Sequence, residues 1–139
     1  MKQEISQFAL VVRDYDEAIS FYTEKLGFDL LEDTVLSEEK RWVVVRPKGS
    51  KGCAILLAKA KNETQAFHIG NHTGGRVSFF LFTDNLDRDF KNLKNHNIEI
   101  IRQPADHEYG KVLVFADLYG NFWDLIEPSG ENTLYQHSL

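Results

Sequence analysis

The segment FALVVRDYDEAISFY, beginning at Phe8, lies over FFLFTDNLDRDFKNL, beginning at Phe79, at an offset of 71 residues. Both open on an apolar stretch suited to a strand, pass through an Asp- or Asn-containing turn, and enter a pattern with helical spacing. Leu10 falls on Leu81, Asp16 on Asp87, Ile19 on Phe90 and Tyr22 on Leu93. Beyond the helix the offset drops to 70, so that Gly27-Phe28-Asp29-Leu30-Leu31 falls on Asn97-Ile98-Glu99-Ile100-Ile101. Gly and Asn are the residues that best tolerate the left-handed backbone just past a helix end. RWVVVRP from Arg41 then matches KVLVFAD from Lys111, and GCAILLAKA from Gly52 matches GNFWDLIEP from Gly120. The chain is therefore expected to fold as two copies of one unit.

Local signals give each copy the order strand, helix, strand, strand, strand. Asp14 has N-cap character, with Glu17 at capping-box spacing, and Tyr15, Ile19, Tyr22 and Leu26 follow as one apolar stripe. Leu86, Phe90 and Leu93 repeat this after Asn85. Strands are predicted at about 5–12, 28–33, 41–46, 53–59, 77–83, 98–103, 111–116 and 121–127. Turns at Gly49-Ser50-Lys51-Gly52 and Leu118-Tyr119-Gly120-Asn121 separate the third and fourth strands of each half. The expected fold class is α+β: two tandem βαβββ modules forming strongly curved mixed sheets around a pocket. Residues 1–128 would make one domain, with module one at about 5–60, a polar linker at 61–76 and module two at about 77–128. The polar stretch 129–139 reads as a loose tail.

Composition removes several classes of function. At 139 residues the chain can bury a core, and its net charge of −5 argues against a phosphate-backbone binder, so no nucleic-acid partner is expected. A single cysteine, Cys53, excludes an internal disulfide and a thiolate metal cluster, and it reads as a small buried hydrophobe opening the fourth strand. No apolar run approaches the ~20 residues that cross a bilayer, and MKQEISQF lacks an apolar signal core. A cytoplasmic protein without a membrane partner is expected.

One helix covers one face of a four-stranded sheet, and period-two alternation decides which residues remain on the bare face. Those are Gln7, Ala9 and Val11 in the first strand, Ser78, Phe80 and Phe82 in the fifth, and Phe122, Asp124 and Ile126 in the last. Aromatic walls with a few polar groups are the usual make-up of a small-molecule site. The expected ligand-binding residues are accordingly Gln7, Trp42, Ser78, Phe80, Phe82, Phe122 and Asp124. Asp124 is also the candidate catalytic residue, because a carboxyl among aromatic rings has its pKa raised and can serve as general base; as a plain polar anchor it would hydrogen-bond Gln7 or Ser78. Arg41 and Arg76 have the fork geometry to clasp a carboxylate, the plainer reading being solvated arginines at strand ends. His68, His72, His96, His107 and His137 read as loop or surface residues, with His72 and His107 at a possible pocket rim.

Two stretches resemble the vicinal oxygen chelate superfamily, the glyoxalase/bleomycin-resistance/extradiol dioxygenase group. ISQFALVVRDYDEAISFYTEKLGF from Ile5 resembles the family opening D-x-x-x-A followed by F-Y-x-x-x-L-G-F, through Asp14, Ala18, Phe21, Tyr22, Leu26, Gly27 and Phe28. DLYGNFWDLIEP from Asp117 resembles the closing D-x-x-G-N-x-x-E-L-x-E-P, with Asp124 in place of Glu. The resemblance implies paired βαβββ modules, a homodimer, and, in metal-using members, ligands at four matched points. Those points fall here on Gln7, Leu56, Ser78 and Asp124, a donor set unsuited to a catalytic Zn²⁺ or Fe²⁺. The expected function is thus binding of a small apolar or aromatic molecule in a pocket without metal or other cofactor. The alternatives are a metal-dependent lyase, isomerase or dioxygenase with an atypical ligand set, and a metal-free enzyme using Asp124 as base.

Overall fold

A computed structural model describes residues 1–130, so all of the expected tail after Gly130 lies outside the described residues. The chain divides into two compact units, the first being Met1–His72 and the second opening at Thr73. The boundary falls inside the stretch read as a linker.

The first unit runs β1 (Gln7–Val12), α1 (Tyr15–Ser20, continued by a π-helical turn over Phe21–Lys25), β2 (Asp29–Val35), β3 (Arg41–Arg46) and β4 (Ala54–Lys59). Its sheet has the order β1-β4-β3-β2, with β1 and β4 parallel and the other pairs antiparallel. The linker stretch contains a short helix, α2 (Glu63–Phe67), capped by Asn62, whose side chain accepts from the Gln65 amide at 2.9 Å. The second unit repeats the plan with β5 (Val77–Phe82), α3 (Leu86–Asn95), β6 (Ile100–His107), β7 (Gly110–Ala116) and β8 (Phe122–Pro128), ordered β5-β8-β7-β6. Each module is therefore a βαβββ unit with a mixed four-stranded sheet.

The helix ends form where the side chains dictate. Asp14 accepts from the Glu17 amide at 2.9 Å, and Asn85 accepts from the Arg88 amide at 3.0 Å, so each caps its helix. At the other end Gly27 (φ 79°) and Asn97 (φ 57°) turn left-handed. The next residues, Phe28 and Ile98, donate back to Tyr22 and Leu93 at 2.8 and 3.0 Å. Between these matched ends the first module has one residue more than the second, which is the step in offset from 71 to 70. The π turn absorbs it: Leu26 N donates to Phe21 O, five residues back, at 3.1 Å. The widened turn lets neighbouring Phe21 and Tyr22 both face inward, their rings edge to face at 5.2 Å.

Each core lies between a helix and one face of its sheet. In the first module Leu10, Val12, Val43, Val45 and Leu57 are fully buried together with Tyr22. In the second, Leu86, Leu113, Phe115 and Leu125 are buried, and Trp123 packs on Phe79 and Phe115 with ring centroids at 4.3 and 5.9 Å. Removing such a side chain from water contributes about 1.5–3 kcal/mol.

Three readings are corrected. Cys53 is exposed, because it precedes the first paired residue of β4 and never enters the core. Arg41 is no solvated strand end: its guanidinium holds Asp33 at 2.7 Å and Asp16 at 2.9 Å and lies over the Tyr15 ring. The Arg41 hydrogen bond draws the Asp33 carboxyl below its ordinary pKa and in turn raises that of Arg41. His107 ends β6, paired with Gly110 across a tight hairpin, and is not a loop residue.

Gly110 is held by necessity. Its φ is 144°, it pairs with Pro128, and a Cβ there would run into the carbonyl of Glu127. Gly110→Ala is expected to lower the unfolding free energy by roughly 2–4 kcal/mol, through backbone strain and steric overlap, in a urea titration monitored by circular dichroism.

Candidate functional site

The site is built on β8, a central strand of the second sheet, and its placement begins at the turn before it. Asp117 is buried, at 5% exposure. Its Oδ1 accepts from the amides of Tyr119 and Asn121, both at 2.9 Å, and its Oδ2 accepts from Asn121 Nδ2 at 2.9 Å. Gly120 adopts φ 94°, and the Asp117 amide donates to Asn121 O at 2.9 Å, closing the loop. At the far end of β8, Glu127 Oε1 accepts from the amide of Leu86, the first residue of α3, at 2.9 Å. The D-x-x-G-N and E-P elements are thus structural parts that set where β8 starts and which way its side chains face.

With β8 so placed, Trp123 and Leu125 go into the core, while Phe122 and Asp124 face the opposite side. Asp124 pairs with Phe80 of β5 and with Val114 of β7, and Val114 pairs with Arg102 of β6. One row, Phe80–Asp124–Val114–Arg102, therefore crosses all four strands on the face without a helix. These residues, with Arg76, Val77, Ile101 and Phe122, line a cleft of about 380 Å³, within the size range of small-molecule pockets. Phe80 is 64% exposed although it stands in the sheet. Asp124 is half-buried and makes no side-chain hydrogen bond among the described residues. Burial raises its pKa above the ordinary aspartate range, and the nearby charges of Arg102 and His107 oppose that rise.

Two bulges decide the membership of this face. Between Val77 and Phe79 the pairing slips, so Val77 pairs with Phe122 and Phe80 with Asp124, leaving Ser78 as the extra residue. Ser78 Oγ lies 3.3 Å from Thr73 Oγ1 and does not bond Asp124. A second slip between Ile100 and Arg102 leaves Ile101 unpaired and turns Arg102 to the cleft face. Simple alternation puts Arg102 on the same side as Ile98 and Ile100, which is why Arg102 is absent from the expected site. Of the residues expected from sequence, Phe80, Phe122 and Asp124 come together in the cleft, joined by Arg76. Phe82 lies two pairs further along β5, opposite Ile126. Gln7 opens β1 opposite Ala54, and Trp42 lies in β3 opposite Thr34, both in the first module.

Fold and cleft define a class: paired βαβββ modules in which one sheet face carries an aromatic recess. Residues 4–125 match the Glyoxalase/Bleomycin resistance protein/Dioxygenase superfamily, and the chain belongs to that superfamily. It is 54% identical over 128 residues to an uncharacterized protein of Shewanella frigidimarina (strain NCIMB 400), covering 91% of this chain and 95% of the relative. Among solved structures it is similar to UcmS2, with TM-score 0.79 and 28% identity over 91% of this chain and 99% of that one. It is also similar to TnmS3, an antibiotic binding protein from Streptomyces sp. CB03234, with TM-score 0.74 and 29% identity over 92% of this chain and 98% of that one.

The donor chemistry does not fit a catalytic divalent ion. Of the four points matched by resemblance, Leu56 is a hydrocarbon and Ser78 Oγ is engaged by Thr73. Among the described residues no three His, Cys, Asp or Glu side chains gather as a ligand set.

Because the Asp124 carboxyl titrates higher in the folded protein than in the unfolded chain, its ionisation opposes folding. That penalty is full above the folded pKa, shrinks as pH falls through it, and vanishes below the ordinary aspartate value. Asp124→Asn is therefore expected to melt higher than the parent at neutral pH, the difference closing as the pH is lowered, in thermal scans from neutral to acid.

Proposed function

We propose that the protein binds a small, apolar or aromatic molecule in the second-module cleft without a metal ion. The observation that carries this reading is the exposed Phe80 ring beside a half-buried, unbonded Asp124 carboxyl. An exposed aromatic face in a recess favours a flat apolar partner. A carboxyl that has lost water without gaining a protein donor favours a ligand hydroxyl or N–H. Phe122 and Val114 supply further apolar wall, and Asp124 acts as anchor. The similarity to TnmS3, an antibiotic binding protein, supports the same class of role. No helix among the described residues is long and apolar enough to cross a membrane.

A homodimer is part of this proposal. Every residue of β2 is exposed, including Leu30, Leu31 and Val35, with Leu36 beyond it; such an apolar edge favours a partner copy. Sedimentation at micromolar concentration is expected to give twice the chain mass, and a monomer would remove this part.

The binding role is tested by thermal shift against planar aromatic compounds and polycyclic antibiotics, with protein purified without chelator and assayed for metal. A ligand at a hundred times its dissociation constant is expected to stabilise the fold by about 2.7 kcal/mol. Phe80→Ala is expected to weaken that ligand about tenfold while hardly changing the melting of the free protein, since the ring is mostly exposed. A stoichiometric divalent metal whose affinity falls on Asp124→Asn would replace this reading with metal-dependent chemistry.

A further inference from the structure

The cleft has a charge asymmetry that an apolar binding site does not require. Outside the cleft Arg13, Arg41 and Arg88 are each held by carboxylates, while Arg46, at the end of β3, has no ion pair among the described residues. Arg76 and Arg102 line the cleft, and among the described residues neither guanidinium has an ion pair or a hydrogen bond. The chain as a whole carries −5, yet its cleft sets two arginines against one aspartate. Both arginines are exposed at the cleft, and guanidiniums beside an apolar floor attract an anion more strongly than the same groups in open solvent, because the low-dielectric wall focuses their field.

Register places the two cations. Arg102 lies in the cross-strand row, two strands from Asp124, which at the spacing of paired strands is about 10 Å between backbones. Val114 forms the floor between them, and Phe80 closes the row on the far side of Asp124. Arg76 precedes Val77, the residue paired with Phe122, so it stands at the end of the recess where β5 and β8 begin. A molecule lying along the row meets aromatic surface and a carboxylate acceptor at one side and a guanidinium at the other.

Resting on the binding role proposed above, we infer that the ligand class is an aromatic anion: a fused- or linked-ring molecule whose acidic group, a carboxylate or sulfonate, is gripped by Arg102, while Arg76, at the start of the opposite edge strand, adds positive charge to the recess. Its rings cover Val114 and Phe122 against Phe80, and a hydroxyl or N–H on the ring system donates to Asp124. A guanidinium offers two parallel N–H donors to two oxygens of one carboxylate or sulfonate, which neither a lysine nor an apolar wall reproduces.

Two fluorescent probes separate the contributions: anilinonaphthalene sulfonate, which is anionic, and phenylnaphthylamine, with the same ring frame and no acid group. Titration of the intact protein is expected to give one site per chain, with the sulfonate probe bound about tenfold more tightly than the neutral one and weakened by added salt. Arg102→Gln is expected to remove most of that preference and Arg76→Gln a smaller part of it, each leaving the neutral probe within twofold. Arg102→Lys should restore it in part, and Phe80→Ala should weaken both probes. If both probes bind alike and the arginine variants change neither, the anion class is overturned while the aromatic cleft stands. Equal loss of both probes in Arg102→Gln assigns that arginine to packing and overturns the inference. If neither probe binds, the aromatic cleft falls as well.

Discussion

The buried carboxylate of Asp117 is the constraint from which the second module's surface follows. It accepts three hydrogen bonds inside one turn and so determines the residue at which β8 begins. In a strand the side chains alternate, so a start displaced by one residue would send Phe122 and Asp124 into the core and Trp123 and Leu125 into the cleft. Such a strand would lose the Trp123 stack with Phe79 and Phe115 and bury an unpaired carboxylate in its place. The turn therefore protects the hydrophobic core and the cleft by the same three bonds, and Glu127, bonded to the first amide of α3, secures the other end of the strand.

The duplicated unit shows how one architecture carries two different faces. The row in the second module, Phe80–Asp124–Val114–Arg102, has its counterpart in the first as Ala9–Leu56–Val44–Glu32. Strand order and the pairing along this row are alike in both, although β1 pairs with β4 without the bulge found in β5, while aromatic ring, anchor and guanidinium give way to methyl, isobutyl and carboxylate. Sheet hydrogen bonds do not depend on what the exposed face carries, so that face is free to vary once the helix side is packed. The helices vary as well: the extra residue of the first module enters a π turn rather than a loop, because both Phe21 and Tyr22 have core to fill.

Much of this was legible in the residues. The repeat, the caps at Asp14 and Asn85, the left-handed exits at Gly27 and Asn97, and the division of Trp123 from Asp124 all rest on short-range rules that hold in any fold. Phe80, Phe122 and Asp124 could be gathered on one face by alternation alone. Arg102 could not, because a bulge after Ile100 reverses the phase of β6, and a bulge leaves no reliable mark in composition. Ser78 was read into the bare face for the same reason in reverse: the slip at the start of β5 leaves it as the unpaired residue and gives Val77 the place opposite Phe122. The partners of Arg41 were hidden by distance along the chain, since Asp16 and Asp33 meet it only when helix and neighbouring strand come to its strand end.

By itself the sequence determined which segments become strands and helices, that they form two like modules, and which side of each strand is apolar, because these follow from local spacing and capping chemistry. Tertiary structure alone decided which side chains stand across from one another. Pairing register, and the bulges that shift it, settle only when whole strands align, and that alignment brought Arg102 into the row of Asp124 and, among the described residues, left both it and Arg76 without an ion pair.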